Sequence, residues 1–473
     1  MGSKLFIYDS LSKKKQLFIP IDPKLVTFYS CGPTVYDFTH IGHLRKFTTD
    51  DLIKKTLYYL GYNVKHAMNI TDVGHLSSDS DEGEDKLEKG SARSGKTVWE
   101  VAKFFEADFF ENIDPLNIKR ADIVCKATDH IPQMIEMIRV LSEKRFTYQT
   151  DQAIYFDTSK FASYGKLSGQ ALIDKKVAVR DDVNADSSKK NPADFALWFF
   201  TTGRFVDHQM RWESPWGMGF PGWHIECSAM SMYYLGNQID IHSGGIDHIS
   251  VHHENEIAQS EAYSDNSPFV RYWIHTNMLL IDGEKMSKSS GNFTRLKEIF
   301  EKEYDPLILR YFFLTTHYRS ESKFSYTALT AAGSAFRRLL NQTRELMSIP
   351  ADDKLSDLAQ NFSNSFEEAL CDDFNFPSAL AIVWEIVKSE ISEGEKKYLL
   401  FKFDEIFDLG LFDKIIKKTE EEIPEDILQI AKNRQEAKRN KDFAKADKLR
   451  QELSNQGWEV IDQQSDFILK KIT

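Results

Sequence analysis

Apolar positions along the chain follow two periods. Leu25 to Cys31 (LVTFYSC) is β-branched and aromatic, which predicts a buried strand broken by Gly32-Pro33. From His40 to Leu60 the spacing turns helical, with Ile41, Leu44, Phe47, Leu52, Leu57 and Leu60 apolar and Gly61 as the stop. Asn63 to Ile70 (NVKHAMNI) predicts a second strand, and strand, glycine-bearing turn, helix, strand opens a parallel βαβ unit. Helical and strand-like runs alternate from about 120 to 210 and predict an insertion, with Asp182 to Asn191 as a loop and Ser77 to Gly90 as an acidic surface loop leading into a helix. Trp212 to Met230 is glycine-rich and aromatic, like the wall of a site, and Ile239 to Ile249 reads as a strand ending in a Gly-Gly turn. After about Ala331 the pattern is helical almost throughout. Glu425 to Leu453 is a charged helical stretch, and GWEVIDQQSDFILKKI predicts a terminal strand pair.

At 473 residues the chain has room for about three domains. It lacks an apolar run of the ~18 residues needed to span a bilayer, and MGSKLFIYDSLSKKK lacks the apolar stretch of a secretory signal, so a cytoplasmic protein without a membrane partner is expected. Four scattered cysteines exclude a disulfide framework and leave thiols, metal ligands or packing. The net charge of −12 argues against nucleic acid, yet Lys432 to Lys471 holds ten Lys/Arg against seven Asp/Glu, so the tail reverses the sign.

The most informative cluster is His252-His253-Glu254-Asn255-Glu256 with Cys31 and Cys227. His252 and Glu256 are four apart and share a helix face, and with two distant thiols they make the ligand mixture of a zinc site. Lone cysteines from separate segments suit the floor of an active site rather than a zinc finger, which takes its ligands in close pairs. A metalloprotease would need histidine at position 257, which is Ile257. His40-Ile41-Gly42-His43 lies where the first strand hands over to a helix, and helix starts bind phosphate. On its own it also describes a capped helix with surface histidines. Lys285-Met286-Ser287-Lys288-Ser289 lies between Gly283 and Gly291, and its two lysines suit a pyrophosphate leaving group; alone it also describes a solvated basic loop.

Together these motifs resemble those of class I aminoacyl-tRNA synthetases. SCGPTVYDFTHIGHLR, GWHIECSAM, HHENEIAQSEA, DGEKMSKSSGNF, DPLILRYFFLTTHYRS and DDFNFPSALA resemble the cysteinyl-tRNA synthetase family over nearly the whole chain. The resemblance implies an α/β Rossmann-type catalytic core with an inserted α/β domain, then an α-helical bundle and a small C-terminal anticodon-binding domain. Its boundaries are expected at 1–120 and 211–275 for the two halves of the core, 121–210 for the insert, 276–330 for the K-M-S-K-S loop and stem-contact region, 331–405 for the bundle and 406–473 for the last domain. It implies L-cysteine, ATP with Mg2+, one Zn2+ per chain and the cysteine tRNA, contacted at its acceptor end and anticodon, on a monomer. Zinc is expected on Cys31, Cys227, His252 and Glu256, and catalysis by His40, His43, Lys285 and Lys288. Gly42, Met286, Ser287 and Ser289 are expected to help hold ATP, Trp223 and His224 to wall the amino-acid pocket, Thr71 and Asp247 to hold the substrate's ammonium or carboxyl end, and His242 with Gly244-Gly245 to face adenosine. Rejecting serine by 10⁴–10⁵ takes about 5.5–7 kcal/mol, which a metal–thiolate bond can supply, so no editing site is expected.

The chain departs from the family pattern after Asn69-Ile70-Thr71-Asp72, at Ser243 and Asn277 where glycine is common, and in its DFILKK tail. At Asn277 the expectation is tolerance of positive φ. Arg434, Lys438, Arg439, Lys441 and Lys445 fall in the anticodon-binding helix region and are candidate phosphate contacts; Trp458 is either a base-stacking platform or a core residue. The nearest rival is a ligase that passes activated cysteine to a small amine, against which the long C-terminal region argues. A non-catalytic zinc-containing RNA-binding protein is the other, against which the intact phosphate motifs argue.

Overall fold

The computed structural model describes residues 3–74, 76, 85–169, 188–281, 284–285, 294–302, 304–352, 354–412, 425–439, 442–462 and 467–471. These divide into two units, Met1–Leu339 with Ser348–Leu409, and Leu340–Met347 with Gly410–Thr473. No helix among the described residues is long and apolar enough to cross a membrane.

Two short N-terminal strands, β1 (Phe6–Asp9) and β2 (Lys14–Leu17), pair antiparallel. The expected first strand is β3 (Val26–Ser30), the helix is α1 (Ile41–Tyr59) and the second strand is β4 (Val64–Ile70). They join β5 (Ile123–Lys126), β10 (Ile239–Gly245) and β11 (Val270–Thr276) in a parallel sheet of order β11-β10-β3-β4-β5. Both faces of this sheet are covered, so β3 and β4 read as near-continuous apolar runs rather than alternating ones. Gly32 sits where β3 leaves the sheet beside β4: a Cβ there would lie 1.6 Å from the Asn69 carbonyl oxygen, a close approach only glycine permits.

Strand order runs outward from β3 in both directions, through β4 and β5 on one side and β10 and β11 on the other. The carboxyl ends of β3 and β10 therefore form the topological switch point, where parallel sheets bind ligands. Cys31 follows β3 there, and Gly244–Asp247 ends β10.

A second, antiparallel sheet comprises β6 (Thr147–Gln149), β7 (Ala153–Phe156), β8 (Phe195–Phe200) and β9 (Gly219–Pro221). The inserted sheet thus spans 147–221 rather than the expected 121–210. β5 hydrogen-bonds to β4 in the main sheet, and β9 pairs with β8 beyond the expected end. α2 (Lys86–Ser94) and α3 (Val98–Ile113) connect β4 to β5, and α4 (Ile131–Glu143) leads from β5 into the second sheet; α4 packs Met134, Met137, Ile138 and Leu141 into the core that also contains Cys31, Cys125 and Cys227. That core continues through α5 (Trp223–Leu235) and α6 (His252–Ser264).

After β11 a small sheet forms from β12 (Leu279–Ile281), β13 (Glu284–Lys285) and β14 (Ser322–Phe324), with α7 (Leu296–Glu301) and α8 (Pro306–Leu314) between β13 and β14. The expected helical region holds α9 (Tyr326–Glu345), α10 (Asp357–Cys371), α11 (Phe376–Lys388) and α12 (Glu393–Phe407). The charged stretch forms two helices, Glu425–Arg439 and Phe443–Asn455, and the tail forms the antiparallel pair β15 (Trp458–Asp462) and β16 (Phe467–Lys471). Trp458 is buried with Ile427, Ala431, Leu453 and Val460, so of its two readings the core role holds. Arg434, a candidate phosphate contact, is buried, whereas Lys445 is exposed and Lys438 half-buried. The side chains of Arg439 and Lys441 lie outside the described residues.

Candidate metal centre and nucleotide site

Three segments deliver the candidate metal ligands to the switch point. Cys31 follows β3, Cys227 lies in the second turn of α5, and His252, His253 and Glu256 occupy the first turns of α6. All five are buried. Donor atoms of Cys31, His252, His253 and Glu256 lie within 4.8 Å of one another. His252 Nε2 is 3.0 Å from Glu256 Oε1, and Cys31 Sγ is 3.3 Å from His253 Nε2 and 3.9 Å from Glu256 Oε1. Cys227 Sγ is not among these grouped donors, but it is buried in the same core as Cys31, and its titration is tied to Cys31 and His252. Of the four expected ligands, Cys31, His252 and Glu256 are thus brought together with His253 as an added donor, while Cys227 lies buried in the adjoining core. The signal for His253 was its i,i+3 relation to Glu256, which shares a helix face as surely as i,i+4 does.

The electrostatics suit a divalent cation. The hydrogen bond to Cys31 and burial push the Cys227 thiol well above its ordinary value, and burial raises Cys31 too. Burial would lower His252, but Glu256 and Cys227 outweigh it and push it up to about 10. Burial would raise Glu256, but His242 and His252 hold it well below the usual carboxylate range. Two buried thiols beside an imidazole and a carboxylate form a donor set that a bound Zn2+ would convert to thiolates.

Neighbouring groups orient these side chains, as outer partners do in metal sites. His224 and His252 share a hydrogen bond between their Nδ1 atoms (3.0 Å), and His242 Nε2 lies 3.1 Å from Glu256 Oε2. Two expectations therefore change. His242 is fully buried against Glu256 and the Trp273 ring instead of facing adenosine, and His224 sits behind His252 instead of walling a pocket. Both point inward because successive positions on β10 and α5 face the packed core. Trp223 is half-buried and stacks on the His252 ring at 4.3 Å, as a pocket wall would. Thr71 is buried, its hydroxyl accepting from Asn69 Nδ2 (2.8 Å), while Asp247 is exposed on a short turn over Gly245. A Cβ on Gly244 would lie 2.4 Å from His253 Cε1, so glycine lets the two histidine rings His248 and His253 close on the strand end.

Backbone around Cys31 is fixed twice. Its N–H donates to Ser243 O (3.0 Å), and its carbonyl accepts from Lys46 Nζ (2.6 Å), which also pairs with Asp50 (2.7 Å). The Ser243 hydroxyl donates to Asp50 Oδ1 (2.6 Å), which explains how serine is accommodated where relatives often have glycine. Glu254 faces away from the cluster. Its carboxylate accepts from the backbone N–H groups of Gly165, Leu167 and Ser168 at 2.8 to 2.9 Å and ties the insert to α6. Glu254→Gln is expected to cost about 1–3 kcal/mol in urea unfolding, because a neutral amide cannot accept all three bonds as a carboxylate does. An unchanged midpoint would remove that role.

His40 is the N-cap of α1. His43 N donates to His40 Nδ1 (3.2 Å), His40 N donates to His43 Nδ1 (3.5 Å), and the rings stack at 3.5 Å. With both Nδ1 atoms accepting, Nε2–H is the donor each ring presents. Surrounding protein and the nearby His40, His248 and Lys46 lower the His43 imidazole below its ordinary value, although the residue is exposed. Ile41 N donates to Thr294 O (3.1 Å). Two of the helix-start N–H groups expected to meet phosphate are thus already satisfied, and the imidazole Nε2–H groups become the donors. Six of the thirteen histidines, residues 224, 242, 248, 252, 253 and 275, form one network of ring contacts around the candidate metal centre, and His40 and His43 stack as a pair at the start of α1. His248 and His275 were not legible as site residues, since each follows β-strand sequence without a ligand spacing.

Lys285 begins the second motif on β13, paired with Leu280 of β12. Met286, Ser287, Lys288 and Ser289 lie outside the described residues, as does the acidic run 77–84. The segment's far flank returns to α1, where Arg295 bridges His40.

Residues 17–334 match the family described as "tRNA synthetases class I (C) catalytic domain", and residues 365–391 match the DALR domain. The fold is shared with a methionyl-tRNA synthetase of Mycobacterium tuberculosis in complex with methionyl-adenylate (16% identity, TM-score 0.54, 83% of this chain and 91% of that one). It is shared also with an Agrobacterium radiobacter K84 LeuRS in a ternary complex (12% identity, TM-score 0.58, 84% and 85%). Fold and catalytic domain thus define a class I tRNA synthetase. The cysteine–tRNA ligases of Borrelia garinii subsp. bavariensis (43% identity, 94% of this chain and 95% of that protein), Burkholderia lata (43%, 97% and 95%) and Treponema denticola (40%, 99% and 100%) are similar over almost their entire length. The chain belongs to the cysteine–tRNA ligase family.

Proposed function

We propose that this protein activates L-cysteine with ATP and esterifies it to the terminal adenosine of the cysteine tRNA. The observation that carries the reading is the buried thiol, imidazole and carboxylate cluster at the switch point, whose Cys31 lies on the same β3–α1 connection that leads to the H-x-G-H helix start. Zinc held by Cys31, Cys227, His252 and Glu256, when bound, would supply a soft Lewis acid that selects sulfur over oxygen. Trp223 and the surrounding histidines exclude water from the amino-acid pocket.

The substrate carboxylate attacks the α-phosphate of ATP·Mg2+, forming the cysteinyl–phosphate bond as the bond to pyrophosphate breaks. His40 and His43 donate Nε2–H to the phosphate oxygens, and Lys285 and Lys288 offset the charge growing on the leaving group. A tRNA ribose hydroxyl then attacks the activated carbonyl and AMP departs. The unit containing residues 410–473 is assigned to the tRNA's anticodon end, and the enzyme is taken as cytoplasmic and monomeric.

Cysteine-dependent ATP–pyrophosphate exchange, with serine as control and zinc quantified in the same sample, tests this. Exchange with cysteine at least about 10⁴-fold more efficient than with serine is expected. Zinc-loaded protein that does not exchange would sink the reading.

A further inference from the structure

We propose that Arg45 is a positioning residue for the ATP step, holding the strand that carries Lys285 in register with His40 and His43 on its own helix. Arg45 lies one turn past His40 on α1 and is 2% exposed. Its guanidinium donates to four backbone carbonyls: Nη1 to Asn277 (2.5 Å) and Met278 (3.0 Å), and Nη2 to His317 (3.1 Å) and Ser320 (2.7 Å). These belong to two chain segments, 277–278 and 317–320. Five N–H groups in a planar fork can span both; the point charge of lysine cannot.

Each gripped segment leads to the nucleotide machinery or braces it. Met278 immediately precedes β12, whose Leu280 pairs with Lys285. Ser322 N donates to Met278 O (3.0 Å), which starts the parallel β12–β14 pairing. The 317–320 turn is fixed from its other side by Asp373, which accepts from Tyr318 Oη (2.7 Å) and Arg319 Nε (2.6 Å). Asn277 adds N to Tyr318 O and Nδ2 to Arg319 O, both at 2.8 Å. It does this without a positive φ, so asparagine serves here as a hydrogen-bonding residue rather than as the glycine substitute expected from sequence. At the far flank, Ile41 N holds Thr294 O and His40 bridges Arg295. The first turns of α1 therefore grip both flanks of the K-M-S-K-S motif. A guanidinium whose partners are all carbonyls from outside its helix is built to gather chain segments.

The proposal rests on the nucleotide roles given above to His40, His43 and Lys285. Its test compares Arg45→Lys and Arg45→Gln with the unaltered full chain. Amide hydrogen exchange at Leu279–Ile281 and Lys285 is expected to speed up by at least about tenfold, while β10 and α6 hold their rates. In pyrophosphate exchange the ATP KM rises and kcat falls, together costing about a hundredfold, with the cysteine KM within about threefold and partial rescue in Arg45→Lys relative to Arg45→Gln. Faster exchange throughout the unit, or equal losses toward ATP and cysteine, would overturn it. If Arg45→Gln does not fold, Asn277→Ala, which keeps the carbonyl that Arg45 grips, replaces it with a smaller shift of the same sign expected; no shift in ATP KM in both soluble variants would overturn it as well. Failure of the unaltered chain to exchange at all would instead count against the ligase reading, and the hydrogen-exchange arm would still decide the clamp.

Discussion

Cys227→Ser is expected to lose most of its zinc and to raise the cysteine KM by about a hundredfold or more, beyond what loss of an outer partner usually costs. A serine hydroxyl does not ionise near neutral pH and is a hard donor, so it cannot replace a thiolate toward zinc. Cys227 is buried in the same core as Cys31, and its titration is tied to Cys31 and His252. Cys125→Ser provides the control. Cys125 is equally buried in the same core, but its thiol donates to the Met68 carbonyl (3.5 Å). Its substitution should lower stability modestly and leave the metal in place. The measurements are zinc by elemental analysis after dialysis and cysteine-dependent exchange kinetics. Stoichiometric zinc and an unaltered KM in Cys227→Ser would remove this residue from the centre.

Asp51→Asn is expected to destabilise the first unit by about 3–5 kcal/mol, since it leaves buried cations without their carboxylate. Asp51 on α1 accepts from Arg310 Nη2 of α8 (2.5 Å) and from Lys55 (2.7 Å), which also reaches Asp408 (2.6 Å) just past α12. Arg310 is wholly buried and further donates to the carbonyls of Phe407 and Leu116. The network fastens the helix that carries His40 and His43 to the helices behind it. Burial would raise the Asp51 carboxyl, but Arg310 and Lys55 outweigh it and hold it below its ordinary value. Its folded pKa is depressed, so its contribution is present above the unfolded value near 4 and disappears as pH falls through the lower folded value. Urea titrations from neutral pH into the acid range should therefore show the unaltered chain losing an increment below about pH 4 that Asp51→Asn never had. Two coincident stability curves would show that the network contributes nothing.

Motif chemistry lay open in the sequence because it depends on residue type and short spacing. His252 and Glu256 share a helix face by the 3.6-residue period alone, and H-x-G-H had to sit at a helix start because Gly32-Pro33 ended the strand before it. The first βα unit, the helical region and the terminal strand pair follow from local periodicity in the same way. The insert's limits did not, because β5 and β9 are assigned to their sheets by partners far along the chain.

What local pattern could not carry is how α1 is surrounded. Its apolar positions suggest a helix with one buried stripe, yet Arg45, Lys46, Asp50, Asp51, Lys54 and Lys55 are buried as well. Charged residues read as surface unless their partners are known, and theirs come from β10, α8 and the 277–320 region. His248 and the inward turn of His242 were hidden for the same reason. The sequence by itself determined which donors exist and which elements hold them. Only the tertiary structure decided which donors meet, because convergence of Cys31, Cys227, His252 and Glu256 is a property of strand order at the switch point, and strand order is set by long-range packing that no local period records.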